Sequence, residues 1–176
     1  MFGILISLNL LISLFIWWIY LMRFYFIPVS NFNLILNLKF KNWFINYIIG
    51  DFELNTGKII QTIETCRQHG ADLVVFAELS VCGYPPRDFL EFNDFIEKSY
   101  AAVQSVASHC HGIAAIVGAP SRNPDTKGKN LFNSAWLLAE GKIQAMAHKA
   151  LLPTYDIFDE YRYFEPNRQF ECVIYK

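Results

Sequence analysis

Two regimes of hydrophobic patterning divide the chain near residue 50: an almost unbroken apolar run before it, and separate periodic segments after it. Ile59, Ile60, Ile63 and Cys66 fall at i, i+1, i+4 and i+7, one face of a helix, with Asn55 or Thr56 to cap it and Gly70 to end it. The short Val-rich run 72–77 predicts a strand buried on both faces. Prolines and Gly83 mark 80–91 as a loop. Phe92, Phe95, Ile96, Tyr100, Val103 and Val106 predict a second amphipathic helix ending near Gly112. A second buried strand at 113–117 and a polar loop at 121–130 follow. The runs 131–138 and 142–147 flank Ala139-Glu140-Gly141 as a β-hairpin. The order helix, strand, helix, strand, hairpin predicts an α/β fold with both parallel and antiparallel pairing.

The first regime has two readings. Residues 2–22 are long enough to cross a bilayer, at about twenty residues, with only Ser7, Asn9 and Ser13 as polar interruptions. Trp17, Trp18, Tyr20 and Arg23 match an interfacial belt with a positive flank, which reads as a transmembrane anchor. The basic start and small-residue cleavage site of a signal peptide are missing. Alternatively, Phe, Ile, Leu, Asn, Lys, Tyr and Trp dominate residues 1–49 and Ala is missing from them, as expected of translated AT-rich upstream DNA. The expected organisation is an apolar extension over 1–45 and one domain over 46–176. A cytoplasmic location follows unless the anchor is real.

Charge sharpens this division. All sixteen acidic residues lie beyond residue 50 with twelve of the fifteen Lys and Arg, so the first fifty residues carry +3 and the remainder −4. Neither part has the basic stripe of a nucleic-acid binder, so no nucleic-acid partner is expected. Cys66, Cys82, Cys110 and Cys172 are scattered without a CxxC pair, which predicts reduced thiols. His109, Cys110 and His111 are adjacent, but neighbouring side chains diverge, so no metal site is expected.

Two segments carry chemistry. The run Leu73-Val74-Val75-Phe76-Ala77 delivers Glu78 to the edge of a sheet, ahead of Cys82-Gly83-Tyr84-Pro85-Pro86-Arg87-Asp88. Downstream, the hairpin ends on Lys149. A carboxylate and an ammonium at one end of a sheet are part of a catalytic constellation, with a nucleophile still to be found. Taken singly, each has a plain reading: Glu78 as a helix cap or ion-pair partner, Lys149 as a solvated hairpin end, Tyr155 as packing. His69, His109 and His111 read as helix-end or surface residues and His148 as structural. Tyr84 and Arg87 read as shaping their loop or meeting a partner subunit. Cys82, beside the glutamate loop, is the one tempting thiol.

Taken together, Asn46 through Asn55, Phe76-Ala77-Glu78-Leu79, Gly83 through Asp88 and His148 through Pro166 resemble the nitrilase superfamily of carbon–nitrogen hydrolases. Within it they resemble the glutaminase domain of glutamine-dependent NAD synthetases. The resemblance implies a four-layer α-β-β-α sandwich, incomplete in this chain and preceded by the apolar segment. It implies Glu78 as general base, Lys149 as the lysine of a Glu-Lys-Cys triad, Tyr155 as a glutamine contact and Glu160 as a supporting carboxylate. Glutamine is then the substrate of this portion, which needs no cofactor. ATP, Mg and deamido-NAD belong to a synthetase domain that this sequence lacks, and a homo-oligomer is implied.

Two departures stand out. No Cys-Glu-Asp motif follows Lys149, and Cys172 lies too early and in the wrong context to be the nucleophile. The chain is therefore expected to be inactive alone. Cys82 matches a position without chemical duty. At the other end, Lys41-Asn42-Trp43-Phe44-Ile45 replaces the small apolar residues of the family's first strand, which favours a false start or frame slip over an anchor. Two further readings remain: a non-catalytic nitrilase-like interaction module, and a membrane-anchored N-acyltransferase relative.

Overall fold

The computed structural model of the chain describes residues 45–125, 127–155 and 158–168, together with short strands at 4–5, 40–42 and 174–175. In chain order the elements are β1 (Ile4–Leu5), β2 (Phe40–Asn42), α1 (Phe52–Gln68), β3 (Leu73–Val75) and a 3-10 turn at Arg87–Glu91. Then come α2 (Asn93–Ala107), β4 (Ala114–Arg122), β5 (Leu131–Ala139), β6 (Lys142–His148), a second 3-10 turn at Glu160–Arg162 and β7 (Ile174–Tyr175). Five strands form one sheet in the order β2-β3-β4-β5-β6, while β1 and β7 pair separately. The pairs β2–β3 and β3–β4 are parallel; β4–β5 and β5–β6 are antiparallel. The mixed α/β pairing expected from the sequence is therefore present.

The alternation of side chains along each strand divides the apolar residues between two faces. Val74, Ala115, Val117 and Leu138 meet Ile59, Ile63 and Cys66 of α1 and Val103 and Val106 of α2, the main core. Ile116, Leu137 and Ala147 cluster with Leu73 and Val75 on the opposite face. One face is thus packed by helices, and the other is apolar and built of smaller residues.

Several boundaries differ from the sequence expectation, each for a local reason. Helix α1 starts at Phe52, not at Asn55 or Thr56, because the Asp51 carboxylate accepts the Leu54 N–H at 3.0 Å. Asn55 is instead buried: its carboxamide accepts from Ile48 N and donates to the carbonyls of Ile48 and Val81, tying the entry of the helix to the loop after β3. Strand β3 ends at Val75 because the next residues turn across β4. A Cβ on Gly118 would lie 2.3 Å from Leu79 N, so only glycine admits this crossing. Strand β4 runs on to Arg122, since β5 pairs with it as far as Leu131. Helix α2 stops at Ala107, and part of the expected loop 80–91 is the first 3-10 turn. Finally, Lys41 and Asn42, which open the stretch that departs from small apolar residues, belong to the strand Phe40–Asn42, with register Phe40↔Leu73.

The β5–β6 hairpin closes through Glu140 and Gly141, both at positive φ (51° and 73°), the left-handed pair that a tight hairpin turn requires. Its ladder is interrupted by a bulge: Leu138 faces Ile143 but Leu137 faces Ala145, so Gln144 is the extra residue. Beyond the bulge, Ser134 faces His148, and Lys149 N donates to Asn133 O at 2.8 Å. No helix among the described residues is long and apolar enough to cross a membrane. The expected span at 2–22 lies outside the described residues apart from Ile4–Leu5.

Candidate active site

Glu78 lies in the turn that follows β3, an interior strand. It therefore stands at the carboxyl end of the sheet, the end at which the sequence reading put it together with Lys149. Lys149 follows β6 directly, and its backbone is clamped on both sides: its N–H goes to Asn133 O at 2.8 Å, and its carbonyl accepts from Asn167 N at 3.0 Å. Glu160 opens the second 3-10 turn, where its N–H reaches Pro153 O at 3.2 Å. The chain next pairs Phe164 with Leu131, so this turn is pinned to the start of β5.

These placements converge three charges. Lys149 Nζ donates to Glu78 Oε1 at 2.6 Å and to Glu160 Oε2 at 2.7 Å. The lysine side chain is 3% exposed, Glu160 7% and Glu78 20%, so the outward-facing member is Glu78. A buried ammonium persists only if paired, and two carboxylates on one ammonium leave an excess negative charge. Glu160 carries the consequence: burial first, then the nearby Glu78 charge, push its carboxyl above the ordinary glutamate range, and Lys149 only partly opposes them.

Two further groups complete the cluster, and sequence reasoning missed both as site residues. The Tyr84 hydroxyl donates to Glu160 Oε1 at 3.1 Å, and burial with the two carboxylates drives its own ionisation well upward. Tyr84 precedes a cis peptide bond to Pro85 in a loop that lines a cavity of about 200 Å³ with Arg87, Asp88, Phe158 and Tyr163. Asn133, on β5, donates from Nδ2 to Glu78 Oε1 at 2.5 Å and lies 3.5 Å from Glu160 Oε2. A tyrosine in a proline loop and an asparagine in a strand are too ordinary to be singled out from sequence.

Of the residues the sequence nominated, Glu78, Lys149 and Glu160 are brought together, whereas Tyr155 stands apart from that contact. It is 54% exposed, its ring edge-on to Phe158 at 5.7 Å, and Phe158 in turn lies 6.3 Å from the Tyr84 ring. Tyr155 thus occupies the rim of the cluster. His148 points to the helix-packed face, where it bonds Ser134 Oγ at 2.8 Å and stacks on Phe132, with burial lowering its basicity.

Among the described residues no thiol joins the cluster. Cys82 is fully buried with its Sγ directed at the carbonyls of Leu79 and Gly83, and burial pushes its thiol up to about 12. Cys66 and Cys110 are buried core residues, and Cys172 lies outside the described residues. No group of three His, Cys, Asp or Glu side chains is placed to hold a metal among the described residues.

The cluster can therefore accept a proton at Glu78 and stabilise a developing oxyanion at Lys149. Comparison with known proteins agrees with that chemistry. Residues 45–175 match the family model described as carbon-nitrogen hydrolase. A glutamine-dependent NAD(+) synthetase of Synechocystis sp. is 40% identical over 136 residues, covering 75% of this chain and 24% of the relative. One from Xylella fastidiosa is 39% identical over 131 residues, covering 73% and 23%. The chain thus spans about a quarter of the length of these curated relatives. Among solved structures, the glutamine-dependent NAD+ synthetase of Acinetobacter baumannii superposes with a TM-score of 0.64 at 31% identity, over 71% of this chain and 23% of that one. An amidase from Nesterenkonia sp. gives 0.60 at 22% identity, over 74% and 48%, a likeness of fold.

Proposed function

The chain belongs to the carbon–nitrogen hydrolase family, and from that premise we propose that it is the amide-hydrolysing portion of a glutamine-dependent NAD synthetase. The observation that carries this reading is Lys149 Nζ held 2.6 and 2.7 Å from two carboxylates, at a sheet end where amide chemistry needs both an acid–base group and a cation. Glu78 acts as general base through its outward oxygen. Lys149 faces the oxyanion that forms when a thiol adds to the carboxamide carbon of glutamine. Glu160 keeps the lysine charged and placed, and Tyr155 on the rim contacts the substrate.

The reaction balances through Glu78. It takes the thiol proton, passes it to the departing amide nitrogen as ammonia leaves, and then activates the water that releases glutamate from the thioester. The attacking cysteine belongs to a strand other than those described. Among its described residues the chain carries base and cation without a nucleophile beside them, and the expected outcome is that it hydrolyses no glutamine by itself. In the complete protein, ammonia amidates deamido-NAD at a synthetase portion that binds ATP and Mg. The apolar sheet face of Ile116, Leu137 and Ala147 supports a second sheet packed against it, as a four-layer sandwich requires. Residues 46–176 carry the hydrolase portion, to whose sheet β2 (Phe40–Asn42) adds a strand from within the stretch 1–45, and the complete protein assembles as a homo-oligomer.

The test is a chimera in which residues 45–175 replace the matching stretch of the Synechocystis relative. Glutamine-dependent NAD formation is expected, and it should be abolished by Glu78→Gln or Lys149→Met while free ammonia still supports synthesis. A folded chimera that uses ammonia but not glutamine, or a glutamine activity indifferent to either substitution, overturns the reading. So does Glu78-dependent ammonia release by the chain alone.

A further inference from the structure

Four carboxylate oxygens meet at the cluster, and their partners are unevenly shared. Glu160 Oε1 takes the Tyr84 hydroxyl. Glu78 Oε1 and Glu160 Oε2 each take Lys149 Nζ, and each also faces Asn133 Nδ2, at 2.5 and 3.5 Å. Glu78 Oε2 alone has no partner among the described residues, and it belongs to the more exposed carboxylate. We propose that Asn133 is a positioning residue: by holding Glu78 Oε1 it presents Oε2 to the reacting group, and it keeps holding when Lys149 turns away. This inference rests on the amide-hydrolase reading and assigns a duty to a residue with no chemistry of its own.

The division of labour follows from the two side chains. Lysine carries a point charge on a flexible four-carbon stem, suited to following charge as it develops on a substrate oxygen. When it does so, its bond to Glu78 weakens at the moment the carboxylate must keep its orientation. The Asn133 carboxamide sits on a short stem from an interior strand, 3% exposed, with its own backbone carbonyl fixed by Lys149 N. Being neutral, it donates without competing for the proton that Glu78 accepts, whereas a second cation would draw down the basicity of the carboxylate. Its second N–H lies toward Glu160 Oε2, which places a donor between two like charges.

The test is a carboxyl-¹³C titration of the glutamate-labelled chain by NMR, with Glu78 and Glu160 assigned from Glu78→Gln and Glu160→Gln. The charged and titratable groups facing Glu78 are Lys149, Glu160 and, through Glu160, Tyr84 with Tyr155 beyond it. Asn133→Leu removes the donor at similar volume, and its loss should raise the Glu78 midpoint by about one to two pH units relative to the unsubstituted chain. Asn133→Asp keeps the shape but puts an acceptor in place of the donor, and should raise it further. Substitution of Ser134, on the opposite face, should leave it unmoved. A Glu78 midpoint unchanged within a few tenths of a unit in either folded variant overturns the proposal, and loss of fold in both assigns Asn133 to packing and overturns it equally. The titration needs no turnover, so it stands if the hydrolase reading fails. In an active chimera, Asn133→Leu should shift the acidic limb of the kcat profile upward by the same amount.

Discussion

Removing the ammonium from between its two carboxylates tests the centre of the site by stability alone. Lys149→Met keeps the apolar stem and approximate volume but deletes the charge 2.6 and 2.7 Å from Glu78 and Glu160. Breaking a buried pair by removing one partner costs about 3–5 kcal/mol, because the remaining charge is stranded away from water. Here two carboxylates are stranded, one 7% and the other 20% exposed, so Glu160 should bear most of the cost and Glu78 less. The penalty has a signature. An unpaired buried carboxylate takes up a proton more readily, so the loss should be largest near pH 8 and shrink toward pH 5 as Glu160 is neutralised. Urea denaturation across that range, with slopes compared to confirm an unchanged transition, reads it directly. We expect a loss of about 3–5 kcal/mol at pH 8, falling by a third or more at about pH 5. Adding Glu160→Gln should restore at least ~1 kcal/mol through coupling of neighbours. A loss below about 1 kcal/mol at pH 8, or the same loss at both pH values, refutes a buried ammonium shared by two anions.

Three other outcomes are accessible with the same protein. Because the Glu160 carboxyl is raised in the folded state, its contribution to stability is complete below the ordinary glutamate range and is lost as pH rises through the folded value. Stability of the unsubstituted chain should therefore fall as pH climbs from about 4 toward neutrality, and Glu160→Gln should flatten that slope; parallel curves for the two proteins count against the assignment. Gly118→Ala sets a methyl group 2.3 Å from Leu79 N, a clash with backbone that cannot swing aside, and should cost at least about 2 kcal/mol and disturb the Glu78 signal; a neutral substitution contradicts the close approach. Cys66, Cys82 and Cys110 are all buried, the last two with thiols pushed up to about 12, so the Cys172→Ala variant should show no fast thiol toward an aromatic disulfide at pH 8 until denatured. Even one rapidly reacting sulfur would refute this burial.

The sequence pointed to Glu78 and Lys149 as neighbours because both residues follow apolar runs whose strands end at the same side of a sheet. That inference uses only period and direction. Glu160 came from the resemblance, since nothing in the local pattern of a 3-10 turn marks it out. What escaped was set by contacts distant along the chain. Asn55 looks like a cap by its place before a helical stripe, but its partners are Ile48 and Val81, visible only once the loop after β3 folds back. Tyr84 and Asn133 gain meaning from the carboxylates they face across 76 and 55 residues. The end of β3 was overextended because its apolar residues continue into a turn that is itself buried against Gly118. Burial alone does not distinguish strand from turn.

The extra residue in the hairpin decides more than its shape. Counted from the Glu140–Gly141 turn without Gln144 as a bulge, His148 rather than Lys149 would come opposite Asn133, and the ammonium would point among the helices. Gln144, whose side chain is anchored to Ala139 O at 2.8 Å, thus acts as a parity switch operating from the far end of the ribbon. Drawing that single glutamine into the regular ladder would put an imidazole in place of the cation at the heart of the molecule while leaving every residue of the cluster in the sequence, whereas deleting it would straighten the ribbon and keep Lys149 opposite Asn133.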